Sequence, residues 1–311
     1  MDKKNQLLSE IFSNLMEQKG IIFILEQYNE FQRALSNPNV NADMLASIIK
    51  KGPGMTTSIL KMANSSYYGR SKNIHSVKQA ISTLGFSTIS RIFLTQTLQK
   101  IFTKENKENM NLLWKHSLGT AIAASEIISI KHPELSDLAF TAGLLHDIGK
   151  FILLGYKFDE MAKIYKDISV DPYQYSFDIE KKVFDVDHQE IGGFFLSKWY
   201  FPEEIVNAVE FHHELSIETC TTIRHDAVIN IDNEVIYASS NESSNDERRF
   251  SRLPITVAIG NNISKALELG QSTSGLIELL PNWIWERVGL NETNLIKVVR
   301  ATKTNYINLT S

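Results

Sequence analysis

The chain has almost no cysteine, no large charge excess of either sign and no long apolar run, and each of these scarcities excludes something. Cys220 is the only cysteine in 311 residues, so an internal disulfide framework and any multi-cysteine zinc or iron-sulfur site are ruled out, and a reducing compartment fits best. A formal net charge of -4 and a sequence pI near 6.1 give no overall pull toward nucleic acid or an anionic membrane. Apolar runs such as "IIFIL" are far too short to span a bilayer. Where a signal peptide would place its apolar stretch, "MDKKNQ" is followed by a polar-studded amphipathic segment, so the reading is a soluble cytoplasmic protein with no membrane association.

What is present is helical patterning. From Leu7 to about Ile101, apolar residues recur at three and four positions, as in Leu45, Ile48, Ile49 and Ile59, Leu60, Ala63, the period of an amphipathic helix. "SNPNVN" and "KGPG" break the pattern, Asn41 is a plausible N-cap, and Gly85 separates two helical patterns. "KENKENM" reads as a charged, solvated connector. Two helices rich in Leu, Ile and Ala follow, the second running through His146 and Asp147 in "SDLAFTAGLLHDIGKFILLG", with Gly119, Ala121, Ala124 and Ala142 small enough for close approach. "YFPEEIVNAVEFHHE" carries a start signal: Pro202 suits a first helical turn, and Glu203 and Glu204 favour the positive end of the helix dipole.

From about 215 to 253 the character changes to β-branched residues and a polar tract, a short hairpin or a loop insertion that could bind a partner. The fold class is therefore all-α: a helical bundle with an N-terminal helical sub-bundle over 7–101, a second helical half over 108–309, and the insertion.

Among eight histidines, five lie on segments expected to be buried. With one aspartate they form the candidate ligand set His116, His146, Asp147, His188, His212 and His213. Four of them fall in "AGLLHDIGKFILLG" and "NAVEFHHE", where His212 follows Val209 by three positions and Ile205 by seven and so faces inward. A lone histidine on an apolar face is more often a satisfied core residue. Several together are costly to desolvate without a shared partner. Imidazole plus carboxylate suits iron, manganese, zinc or nickel, and a helical bundle can converge such ligands from several helices. Lys150, four positions after His146, either extends past the helix end or neutralises an oxyanion in a phosphate-cleaving site. Arg70, Lys72 and Arg91 beside Tyr67 and Tyr68 could form a stacking surface for nucleic acid; tyrosines anchoring a turn are the simpler reading.

"LLHDIGK" resembles the signature of the HD superfamily of metal-dependent phosphohydrolases, with His116, His146 and Asp147 matching its first three ligands. The distant aspartate of that pattern is replaced by Asn261 in "VAIGNNISKAL", and an amide is a weaker ligand than a carboxylate. "LASIIKKGPGMTTSILKMANSSYYGRSKNIHSVKQAISTLGFSTISRIFL" and "DHQEIGGFFLSKWYFPEEIVNAVEFHHE" are similar to the HDOD family, the HD-related output domains of bacterial signalling, and the likeness runs as a single domain from 7 to 309. His188, His212 and His213 also resemble ligands of the HD-GYP phosphodiesterases, but no GYP loop follows the histidine pair. The resemblance implies a regulatory module with a degenerate metal site and no catalytic residues, relaying a signal through a protein partner. The alternative it implies is a metal-dependent phosphohydrolase acting on a nucleotide or cyclic dinucleotide, with Lys150 as the catalytic cation.

Overall fold

The structure is a computed structural model that describes residues 3–17, 21–51, 55–65, 74–102, 107–171, 174–215, 228–231, 234–237, 251–272 and 276–310. Tyr67, Tyr68, Arg70 and Lys72 lie outside the described residues, as does Cys220. The chain divides into two compact units, Met1–Trp114 with Lys303–Ser311, and Lys115–Thr302.

The first unit is built from α1 (Lys3–Glu17), α2 (Ile21–Leu35), α3 (Ala42–Lys50), α4 (Met55–Ala63) and α5 (Val77–Phe102). Asn41 caps α3, its side chain accepting from the Met44 amide at 3.0 Å, which satisfies one of the orphan donors of a helix start. The inward faces of α2, α3, α4 and α5 meet, and Phe31, Leu45, Ile49, Ile59 and Phe93 are almost fully buried there. α5 bends at Gly85, whose φ of 84° and ψ of 166° suit a residue without a Cβ.

The second unit carries the helices that matter for function. The α6 helix (Lys107–Ile128), whose residues up to Trp114 belong to the first unit, starts within "KENKENM", so the expected connector is partly helix, and Met110 is buried. It is followed by α7 (Ser136–Leu145), α8 (Ile148–Tyr156), α9 (Phe158–Val170), α10 (Ser176–Phe184), α11 (His188–Lys198), α12 (Glu203–Phe211), α13 (Arg252–Ala266), α14 (Asn282–Arg287) and α15 (Glu292–Thr310). α8 packs on α11, α11 on α12, and α12 on both α7 and α13. The small residues act as expected: Gly143 of α7 and Gly260 of α13 lie against Ala121 and Ala124 of α6, where an added Cβ would come within 2.8 and 3.1 Å of backbone atoms.

Ala123, Ile127, Ile255, Ile259, Ile263 and Ile284 form one core cluster, with Trp283 and Trp285 half-buried against it. In the 215–253 insertion, Val228–Ile231 and Glu234–Tyr237 pair as an antiparallel hairpin with Ile229 opposite Ile236. One stretch, Pro133–Tyr156, is on average apolar enough and long enough to cross a membrane, which the reading of single runs missed. Its most apolar window is 83% buried inside the protein, and the stretch is interrupted at His146–Asp147.

Candidate metal centre

His146 and Asp147 do not sit within a continuous helix, as the apolar pattern suggested. They form the junction between α7, which they end, and α8, which they begin. Asp147 has φ -99° and ψ 17°, the bridge region between helix and strand in which functional side chains are often held. The junction aims both side chains at the N-terminus of α11 and the C-terminus of α12. The α11 N-terminus is fixed by a capping box in which the Asp187 side chain accepts from the Glu190 amide and the Glu190 carboxylate accepts from the Asp187 amide. That arrangement satisfies two orphan donors at once and places His188 as the first helical residue. At the other end, His212 and His213 close α12, and the His213 amide donates to Gln189 Oε1 at 3.1 Å.

The six candidate ligands come together, none more than 5% exposed. Asp147 is their hub. Its Oδ1 lies 3.3 Å from His188 Nε2 and 3.8 Å from His212 Nε2, and its Oδ2 lies 3.4 Å from His146 Nε2 and 3.9 Å from His116 Nε2. His213 joins Asp147, His188 and His212 as donors within 4.8 Å of one another.

What the other ring nitrogens do decides which atoms face the centre. His146 Nδ1 donates to the Gly143 carbonyl at 2.7 Å and His212 Nδ1 to the Val209 carbonyl at 2.8 Å; carbonyls only accept, so these rings carry their proton on Nδ1. His188 Nδ1 is held by Glu180 Oε2 at 2.6 Å, and His213 Nδ1 by Glu278 Oε1. Each Nε2 of these four rings, together with Asp147 Oδ1, is buried without a hydrogen bond. A neutral ring so arranged presents a bare lone pair, and buried unsatisfied polar atoms are rare enough to demand an explanation. Metal-ligating histidines characteristically donate their other nitrogen to a carboxylate or a carbonyl. The residues present therefore fit a metal ion, and the cluster could hold one.

Burial disfavours the charged form of three of the rings: it pushes His212 down to about 3 and His116 and His213 well below the ordinary histidine value, with neighbouring imidazoles adding to the effect. Burial alone would raise the Asp147 carboxyl, but interaction with His146 and the Lys150 ammonium outweighs it and holds the group well below the carboxylate range. Burial likewise raises Glu180, but interactions with His188 and the Lys150 ammonium together outweigh it and lower the group. Glu278 goes the other way, pushed by burial up to about 7, with the Lys265 ammonium opposing.

Lys150 does not extend past a helix end. It is 1% exposed, bonded to Asp147 Oδ2 at 3.0 Å and to Ser272 Oγ at 3.0 Å, because the break at His146–Asp147 turns α8 so that the lysine points back at the carboxylate. Asn261 accepts through Oδ1 from His116 Nε2 at 3.0 Å, and Ser264 Oγ lies 3.3 Å from His116 Nδ1. The sequence reading missed Glu180, Glu278, Lys265 and Ser272. Lys265 lies four residues after Asn261 and so on the same helix face, a signal that could have found it; the others lie on segments whose sequences give no register relative to the histidines.

A family profile described as the HDOD domain matches residues 23–215. The chain belongs to the HDOD family. The crystal structure of an HDOD domain protein of unknown function from Geobacter sulfurreducens aligns with a TM-score of 0.62 at 20% identity, covering 98% of this chain and 92% of that one. That of a candidate metal-dependent phosphohydrolase from Shewanella amazonensis SB2B aligns with a TM-score of 0.55 at 18% identity, covering 98% and 100%. At these identities the HDOD fold is what is shared. An uncharacterized protein of Treponema pallidum (strain Nichols) is 24% identical over 192 residues, a match that covers 60% of this chain and 36% of the relative; the similar region is about a third of that protein.

Proposed function

We propose that this HDOD protein is a non-catalytic signal-transduction module of the cytoplasm that acts through contacts with a protein partner, its histidine cluster serving as a structural centre. The observation that carries the reading is closure: His116, His146, Asp147, His188, His212 and His213 are all buried, and Lys150 is engaged by Asp147 and Ser272. Hydrolysis of a phosphate ester needs an open coordination position where water and substrate meet. Asn261 supports the same reading, since its amide holds His116 where a carboxylate would add a charged ligand. The overall charge of -4 favours a protein partner over nucleic acid.

The test is turnover of cyclic dinucleotides and nucleoside phosphates by the full chain after loading with zinc, manganese, iron or nickel. Rates equal to those of Asp147→Ala are expected. Turnover that Asp147→Ala abolishes would establish the second reading, a metal-dependent phosphohydrolase. That reading is favoured by the four bare Nε2 atoms around Asp147 with a lysine ammonium beside them. In it, the metal would supply an activated water, and Lys150 would leave Asp147 to face the phosphate oxyanion.

A further inference from the structure

The donors around Asp147 fall into two corners that are not equivalent. On one side stand Asp147, His188, His212 and His213; on the other stand His116, His146 and Asp147. We propose that the cluster holds one metal ion, ligated by Asp147 Oδ1 and the Nε2 atoms of His188, His212 and His213, and that the corner at His116 and His146 is closed to a second. The proposal rests on the reading of the cluster as a metal centre and adds which of the candidate residues hold the ion and how many ions are held.

The first corner is built for an ion. All four donor atoms are buried and have no hydrogen bond. The three rings are held through Nδ1 by Glu180, the Val209 carbonyl and Glu278, which leaves each Nε2 lone pair directed inward. Metal bonds of about 2.0–2.1 Å place the ligands of a tetrahedral ion about 3.3 Å apart. Asp147 Oδ1 is already 3.3 Å from His188 Nε2 and 3.8 Å from His212 Nε2. Lys150 approaches the same oxygen at 2.9 Å but directs its hydrogen bond to Oδ2, so Oδ1 keeps a lone pair.

The second corner has spent its donors. An amide oxygen accepts, so the 3.0 Å bond from His116 Nε2 to Asn261 Oδ1 puts a proton where a ligand would need a lone pair. Asp147 Oδ2 is taken by Lys150 at 3.0 Å and Ser272 at 3.4 Å. Only His146 Nε2 remains, and one imidazole does not hold a divalent ion. Four protein ligands on the first corner leave no open position, the arrangement of structural rather than catalytic sites.

The experiment uses the full chain, stripped with a chelator and reloaded with zinc or with cobalt(II), its fold checked by circular dichroism. Elemental mass spectrometry is expected to give one ion per chain, and cobalt to show the intense visible absorption of four-coordinate geometry. His188→Gln and His213→Gln should lose the ion, His116→Ala should keep it, and Asn261→Asp should raise the count to two. Two ions on the unmodified chain, or an ion lost in His116→Ala and kept in His213→Gln, would overturn the partition while leaving the metal centre standing. An Asn261→Asp chain that stays at one ion would overturn the closing role of Asn261. No ion on the folded, unmodified chain would overturn the metal centre itself, and that count does not depend on any variant folding.

Discussion

The Lys150 ammonium lies 2.9 and 3.0 Å from the two carboxylate oxygens of Asp147, three residues earlier, with both side chains 1% exposed. Two buried charges so placed are tolerated as a pair and costly apart. Asp147→Ala should therefore destabilise the protein by about 3–5 kcal/mol, because it strands a buried cation. Adding Lys150→Met removes that cation, and the double variant should recover part of the loss. Urea unfolding of the two single variants and the double variant measures the coupling; additive losses would mean that the pair does not act as a unit.

Gly149 sets how closely α8 and α11 approach. A Cβ there would meet the His188 carbonyl oxygen at 2.0 Å, whereas one at Gly155, near the end of the same helix, would meet nothing within 4 Å. Gly149→Ala should cost about 1–3 kcal/mol by overpacking and, by moving His188 away from Asp147, lower metal retention. Gly155→Ala should be neutral or stabilise by up to about 1 kcal/mol, the difference in helix propensity. Thermal unfolding and metal content of the two variants, side by side, check both.

The chelator-treated protein should be sensitive to acid. His212 is held by burial at about 3 and His116 and His213 well below the ordinary value, whereas in the unfolded chain such rings take up protons near pH 6.5. Below that pH the unfolded state binds more protons than the folded one. These rings therefore contribute their full stability above about pH 6.5 and lose it as the pH drops toward about 3, while Glu278, raised from 4.5 to about 7, partly offsets them between those two values. Urea midpoints across this range, with His212→Gln showing a shallower fall, are the measurement.

Tyr200 occupies the left-handed region at φ 60° and is 91% exposed. It ends α11 with the Phe201 amide donating to the Leu196 carbonyl at 3.0 Å, a helix stop that ordinarily uses glycine. Tyr200→Gly should stabilise by about 1 kcal/mol through relief of the left-handed cost and leave metal content unchanged. A lower melting temperature would mean that the tyrosine ring contributes packing its exposure does not suggest.

Much of the helical fold was legible because its signals are local. Apolar periodicity marked the helices, Asn41 and Gly85 marked a start and a bend, and small residues marked where helices meet; each depends on a few neighbouring residues and survives reading along the chain. Expected burial on helical segments singled out His116, His146, Asp147, His188, His212 and His213, and the resemblance to the HD superfamily singled out Asn261. Two local readings went astray for the same reason: the helical periods of "AGLLHDIGKFILLG" and of Lys107–Met110 do not show where a helix breaks or begins.

The sequence by itself determined an all-helical HDOD chain and the residue types of its centre. Only the tertiary structure decided that Asp147 is the hub, that Lys150 turns inward to it, that Asn261 occupies His116, and that Glu180 and Glu278 fix His188 and His213. The physical reason is range. Periodicity and capping are set by neighbours within a turn or two, whereas the Asn261 amide and the His116 ring are 145 residues apart and meet only because the packing of their helices brings them within hydrogen-bonding distance.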